Sequence, residues 1–97
     1  MSGQIPHKAI HVIVSGFVQG VGFRYFTHRA AGQLGLVGWV KNQYDGTVEI
    51  WAEGPENKLQ QFIKIIERGP EHALVENVNI EWLPTKEKYS RFHINYR

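Results

Sequence analysis

Three glycines and one arginine near the start of the chain form the segment best suited to chemistry. Residues 16–24 read GFVQGVGFR, which places Gly16, Gly20 and Gly22 ahead of Arg24. Glycine lets successive main-chain N–H groups turn toward one point, and such a concavity binds anions. A helix that begins after the glycines adds the partial positive charge of its N-terminus. The segment therefore indicates a phosphate-binding loop, although glycine-rich turns also occur as plain loops.

Arg24 strengthens that interpretation, because it falls in the first turn of the predicted helix. A cation there is unfavourable by roughly 0.3–1 kcal/mol, and a locally unfavourable residue is typical of a functional site. A guanidinium can bind two phosphate oxygens at once and stays charged, although an exposed arginine is the simpler alternative. Other phosphate loops do not match, since Tyr25 stands where the dinucleotide fingerprint needs glycine and residues 16–24 contain no lysine for a P-loop.

The elements that must position this loop follow from the spacing of apolar residues. Alternation predicts a first strand that is apolar on both faces, and therefore central, immediately before the glycines. Asp45-Gly46 predicts a tight turn between the second and third strands. The third strand should direct Val48, Ile50 and Ala52 inward and its other side chains, including Trp51, outward. We predict strands at 10–14, 36–42, 47–53, 78–82 and 92–96, and helices at 23–34 and 54–68.

This element order predicts an α+β fold of the ferredoxin-like class. The order is β-α-β-β-α-β plus a short C-terminal strand, with two helices on one face of a mostly antiparallel sheet. Many unrelated functions use this architecture, so the fold alone does not identify an activity.

Length and composition limit the remaining possibilities. The 97 residues provide for one domain, which we assign to 1–97, and 42% hydrophobic residues can supply a modest core. The absence of cysteine excludes disulfides, thiolate metal sites and cysteine catalysis. No apolar run approaches the roughly 20 residues that span a bilayer, and residues 1–11 do not resemble a signal sequence. We expect a cytoplasmic monomer with no membrane attachment.

The other functional classes find little support in the sequence. The five histidines lack the spacing of metal ligands, so we expect no metal and no cofactor. An RNA-binding module is the main alternative, because GVGF at 20–23 is similar to an RNA-recognition consensus. That consensus belongs on a central strand, whereas this segment leads into a helix, and the glutamates beside Trp51 would repel phosphates. We therefore expect no nucleic-acid partner.

Residues 16–24 resemble the first signature of the acylphosphatase family, G-x-V-Q-G-V-x-F-R. Residues 38–48 read GWVKNQYDGTV and are followed by Gly54, and they resemble the second signature of that family. The resemblance extends over nearly the whole chain. It implies a metal-independent hydrolase that cleaves the carboxyl–phosphate bond of a small acyl phosphate, giving a carboxylate and inorganic phosphate.

The resemblance also implies roles for individual residues. Arg24 would bind the phosphate and Asn42 would position the attacking water. The loop that holds the phosphate would be formed by Gln19, Gly20, Val21, Gly22 and Phe23. A carboxylate leaves without help from a general acid, so catalysis needs chiefly positioning and charge stabilisation. A domain that binds an anion without hydrolysing it remains the third alternative.

Overall fold

The computed structural model describes residues 6–96; positions 1–5 and 97 of the expected domain lie outside the described residues. Its elements follow the predicted order. They are β1 (His7–Phe17), α1 (Phe23–Gln33), β2 (Val37–Asn42), β3 (Val48–Pro55), α2 (Glu56–Arg68), β4 (Leu74–Leu83) and β5 (Phe92–Asn95).

One five-stranded sheet organises these elements in the order β4-β1-β3-β2-β5. The β1–β3, β1–β4 and β2–β3 pairs are antiparallel, and β2 pairs in parallel with β5. The predicted ferredoxin-like fold is confirmed, including the internal position of β1 between two neighbours. The order brings the end of β1, the start of α1 and the end of β2 close together.

The core lies between the sheet and the two helices. Alternate side chains of β1 and β3 point into it, and Val12, Val48 and Ile50 are almost fully buried. From the helices, Phe23, Leu59 and Phe62 complete the same cluster. Burying a side chain of this size contributes about 1.5–3 kcal/mol, so this single layer carries much of the stability of the domain.

The ends of the helices follow from their sequences. At the end of α1, Gly35 has a φ of 70° and donates to the Gly32 carbonyl, while Leu36 donates to the Ala31 carbonyl. This pair of bonds is the Schellman arrangement, and it explains why the helix ends near the predicted glycine. The predicted start of α2 was two residues too early, because Pro55 is still extended (φ −61°, ψ 144°) and the helix begins at Glu56.

Gly16 corrects the sequence interpretation of the glycine segment. It does not belong to the loop, because β1 continues through Phe17 across a bulge between Ser15 and Gly16. Gly16 has a φ of 125°, and a Cβ added there would lie 2.1 Å from the Leu74 carbonyl oxygen. Glycine is required here for close approach of β4, whereas Gly20 and Gly22 remain as the loop glycines.

The face of the sheet away from the helices also differs from expectation. Trp51 and Glu53 point to that face, as predicted, but only 6% and 5% of their surfaces are exposed. The segment that follows β4 covers them at Lys86. The Glu53 carboxylate accepts hydrogen bonds from Trp51 Nε1 (2.7 Å) and the Lys86 N–H (2.9 Å), and the Lys86 ammonium lies 4.4 Å from the Trp51 ring centroid. Trp51, the outward-facing aromatic considered with the RNA-binding alternative, is therefore covered.

Gly38 provides the first testable prediction. Its φ is 136°, and an added Cβ would lie 1.9 Å from the Trp51 carbonyl oxygen on β3. Gly38→Ala combines backbone strain with main-chain overlap, so we expect it to lower the free energy of unfolding by about 3 kcal/mol or more. For a domain of this size, that loss corresponds to a fall in Tm of roughly 12 °C or more.

Gly32→Ala is the matched control. Gly32 lies in α1, is exposed, and an added Cβ would meet no atom within 4 Å. Alanine should stabilise this helical position by roughly 0.5–1 kcal/mol. Thermal unfolding of both variants by circular dichroism tests the pair, and a Gly38→Ala protein as stable as the wild type would contradict the described β2–β3 contact.

Candidate active site

The loop between β1 and α1 contains two residues in the left-handed region, Gly20 at φ 76° and Gly22 at φ 79°. An added Cβ would meet nothing within 4 Å at either position, so the requirement for glycine here is conformational. Gly22 is the N-cap of α1, and within the described residues no side chain caps this end of the helix. The first-turn N–H groups and the helix dipole therefore remain available for an anion.

Arg24 lies directly after this loop, in the first turn of α1. Its guanidinium carbon is 4.8 Å from the centroid of the Tyr96 ring, which follows β5. Among residues 6–96, no carboxylate forms a salt bridge with Arg24. The first turn contains no acidic residue either, so the cation adds to the positive end of the helix. A stacked guanidinium keeps its in-plane N–H groups free to donate hydrogen bonds.

Asn42 is the last residue of β2 and pairs with Val48 of β3. Its Oδ1 is buried and has no hydrogen-bond partner among the described residues. Leaving a buried acceptor unpaired costs about 1–3 kcal/mol, so such an atom needs an explanation. An amide oxygen in this position can accept a hydrogen bond from a water or a ligand, and the amide nitrogen can donate one.

Gln19 joins the loop to the β2–β3 turn. Its Nε2 donates to the main-chain oxygens of Gln43 (2.7 Å) and Thr47 (2.8 Å), which flank the turn. The Gln43 N–H also donates to the Thr47 oxygen (2.9 Å). Both hydrogens of the Gln19 amide are therefore used inside the protein. Gln19 can contribute its main chain to the loop, while its side chain holds the loop against the turn that follows Asn42.

Hydrogen bonds within the turn also stabilise the ionised form of Asp45. The Thr47 hydroxyl lies 2.6 Å from Asp45 Oδ1 and 2.9 Å from Gln43 Oε1, so its single hydrogen is shared between two acceptors. The Thr47 N–H donates to Asp45 Oδ1 as well (3.0 Å). These bonds, the hydroxyl first, hold the pKa of the Asp45 carboxyl below its ordinary value.

Two adjoining cavities meet at this place. The smaller has a volume of about 160 Å³, and its walls are Val18, Gly20, Gly22, Phe23, Arg24, Tyr25, Asn42, Ile94 and Tyr96. The larger has a volume of about 410 Å³, and its walls are Gln19, Arg24, Lys41, Asn42, Gln43, Tyr44 and Tyr96. Arg24, Asn42 and Tyr96 belong to both. The smaller cavity lies at the glycine loop and has the size of a few water molecules, which suits a phosphoryl group.

The predicted site residues thus lie close together, but they differ in whether the side chain or the main chain faces the cavity. The Phe23 side chain is buried in the core, and the Val21 side chain packs partly against that core. These two residues can therefore contribute their main-chain groups to the loop. Tyr96 and Ile94 were missed as wall residues, because no local signal in the sequence connects β5 with the loop. His28 packs its ring on Phe92, 6.3 Å between centroids, and lines neither of these two cavities.

Fold and site together define a small α+β domain with a glycine loop at the uncapped start of its first helix, and known proteins share this architecture. The acylphosphatase family model matches residues 10–94. An acylphosphatase of Thermotoga maritima is 51% identical over 89 residues, covering 92% of this chain and 98% of the relative.

Solved structures give the same result. A crystal structure of the Bacillus subtilis acylphosphatase superposes with a TM-score of 0.89 at 45% identity, covering 92% of this chain and 99% of that one. An acylphosphatase from Coxiella burnetii gives 0.86 at 42% identity, covering 92% and 93%. The chain belongs to the acylphosphatase family, and it is an enzyme that hydrolyses acyl phosphates. None of the helices in residues 6–96 is long and apolar enough to cross a membrane.

Proposed function

We propose that this enzyme hydrolyses acyl phosphates without a metal ion, using a main-chain loop, Arg24 and Asn42. The N–H groups of residues 19–23 and the Arg24 guanidinium hold the phosphoryl group, and Asn42 orients the attacking water. The observation that carries the proposal is the shared position of Arg24 and Asn42 on both cavities beside the uncapped start of α1.

Phosphoryl transfer through a loose transition state demands positioning and charge stabilisation more than acid–base chemistry. The water oxygen attacks phosphorus in line with the bond to the acyl oxygen. That bond breaks, its electron pair leaves with the carboxylate, and a proton of the water passes to a phosphoryl oxygen. The products are a carboxylate and inorganic phosphate, so the step requires neither an oxidant nor a protein acid.

Two features support independence from metals. Arg24 already supplies, beside the loop, the positive charge that a metal would otherwise bring to the phosphoryl oxygens. The buried Oδ1 of Asn42 supplies an acceptor for the water, which makes a metal-bound hydroxide unnecessary.

The test is hydrolysis of benzoyl phosphate with and without a chelator. We expect the same kcat in excess EDTA as in added Mg²⁺, because no step uses a metal. Inorganic phosphate should inhibit competitively, because it would occupy the loop. A strict requirement for a divalent cation, or inhibition by phosphate that substrate cannot relieve, would contradict the proposal.

A further inference from the structure

Glu49 forms a cluster of polar contacts on the sheet face away from the helices. It lies on β3 between the buried residues Val48 and Ile50, and its side chain is only 17% exposed. One carboxylate oxygen lies 2.6 Å from His11 Nε2, and the other accepts a hydrogen bond from Gln43 Nε2 at 2.8 Å. Lys41 Nζ is 3.7 Å from that second oxygen. The mechanism above uses none of these contacts.

These contacts lead into the active site through Gln43. Both polar atoms of the Gln43 amide have partners: Nε2 donates to Glu49, and Oε1 lies within hydrogen-bond distance of the Thr47 hydroxyl. The Gln43 main-chain oxygen receives one of the two hydrogen bonds from Gln19. Gln43 also directly follows Asn42. A single residue therefore connects the Glu49 carboxylate with the phosphate loop on one side and with Asn42 on the other.

The groups around Glu49 favour one fixed arrangement. His11 and Lys41 approach it from the two strands that flank β3, so the carboxylate is held from both sides as well as by Gln43. Charge-assisted hydrogen bonds of this kind are shorter and stronger than neutral ones. Partial burial reduces their competition with water.

We propose that Glu49 is a positioning residue for hydrolysis. Through Gln43 it fixes the turn of residues 43–47, and that turn sets the distance between the loop that holds the phosphoryl group and Asn42. The inference rests on the proposed function, because it assigns Glu49 an effect on the water that Asn42 orients. Misplacement of reacting groups by about 1 Å can cost 10²-fold in rate, so loosening the turn should slow the chemical step.

The expected result is a split between kcat and KM. Glu49→Ala should lower kcat for benzoyl phosphate by about 10-fold. KM and the inhibition constant of inorganic phosphate should change less than about 2-fold, since the loop and Arg24 bind the phosphoryl group without the turn. Glu49→Gln should restore most of the lost kcat, because its amide oxygen can still accept from Gln43 Nε2.

Glu81→Ala is the matched control. Glu81 lies on β4 opposite His11, is exposed, and makes no described hydrogen bond to the turn. The substitution removes a carboxylate from the sheet face that carries Glu49 but leaves the turn untouched, so kcat should stay at the wild-type value. Thermal unfolding of every variant, with assays well below each Tm, separates the effect on the turn from a loss of folded protein.

Gln43→Ala tests whether Glu49 acts on the turn through Gln43. If Glu49 acts through Gln43, the variant that carries both Glu49→Ala and Gln43→Ala should lose no more activity than the more impaired of the two single variants. Three results would each overturn the inference: losses of kcat that multiply in the double variant, a wild-type kcat in Glu49→Ala, or an effect confined to KM.

Asn42→Ala, assayed in parallel, separates the role proposed for Glu49 from the role proposed for Asn42. If it is slow while Glu49→Ala is not, only the role of Glu49 falls; if it is as fast as wild type, the proposed role of Asn42 falls.

Discussion

Arg24→Gln is expected to lower kcat/KM for benzoyl phosphate by about 10³-fold, the range seen when an arginine that stabilises a transferring phosphoryl group is lost. Under the proposed mechanism, glutamine removes the positive charge and the paired N–H groups that bind two oxygens. Inhibition by inorganic phosphate should weaken together with turnover, because ground-state binding uses the same contacts.

The fold should tolerate this substitution. Removing a cation from the first turn of α1 should stabilise the helix by about 0.3–1 kcal/mol. Loss of the contact with Tyr96 costs a similar amount, about 0.5–1 kcal/mol. The two effects nearly cancel, so Tm should remain close to that of the wild type. A large fall in Tm would mean that Arg24 is needed for the structure and would remove the basis for interpreting the rate.

Arg29→Gln is the control for Arg24→Gln. Arg29 lies on the same helix and is placed over another tyrosine ring, with its guanidinium carbon 5.9 Å from the Tyr25 centroid. It is exposed and lines neither cavity that contains Asn42. We expect kcat/KM within about twofold of the wild type. Equal losses in the two variants would point to a general effect of positive charge on α1 instead of a specific site.

Asn42→Ala is expected to lower kcat by about 10²-fold, as for the loss of a preorganised polar group in the transition state. KM should change by less than about threefold, because the loop and Arg24 still bind the phosphoryl group. Stability should be unchanged or higher, since the lost Oδ1 has no partner among the described residues. A loss of rate together with a gain of stability is typical of a residue kept for function.

The control for Asn42→Ala is Asn79→Ala. Asn79 is an exposed asparagine on β4, opposite Ile13 and remote from the two cavities. It should leave both kcat and KM unchanged. Steady-state kinetics with benzoyl phosphate and thermal unfolding measure the pair. A rise in KM with an unaltered kcat in Asn42→Ala would assign this residue to substrate binding and would contradict its role toward water.

Sequence reasoning succeeded where local rules govern. Apolar alternation located β1 and β3, Gly35 located the end of α1, and the glycine segment located the loop. Each of these features depends on residues within about four positions of one another, so a linear pattern contains the information. The presence of Arg24 and Asn42 in one cavity required more than local rules, and it followed from the family resemblance.

The errors have a common physical cause, which is long-range register. Gly16 was assigned to the loop because the neighbouring residues give no sign that β4 approaches it. The Leu74 carbonyl oxygen would lie only 2.1 Å from a Cβ added at Gly16. Trp51 was expected to be exposed because the largely polar segment after β4 has no periodicity that would place Lys86 against the sheet. Tyr96 was missed for the same reason. Its position depends on the parallel pairing of β5 with β2.

That parallel pairing has a consequence for how the enzyme is made. Gly38 pairs with Phe92, which follows it by 54 positions, and the next residues deliver Tyr96 to the ring-stacking position over Arg24. A ribosome must therefore synthesise the chain beyond Tyr96 before the cavity is complete. Earlier segments of the nascent chain can gather the other four strands, but they lack one wall of the cavity. Sheet closure and completion of this cavity thus coincide in a single late event of biogenesis.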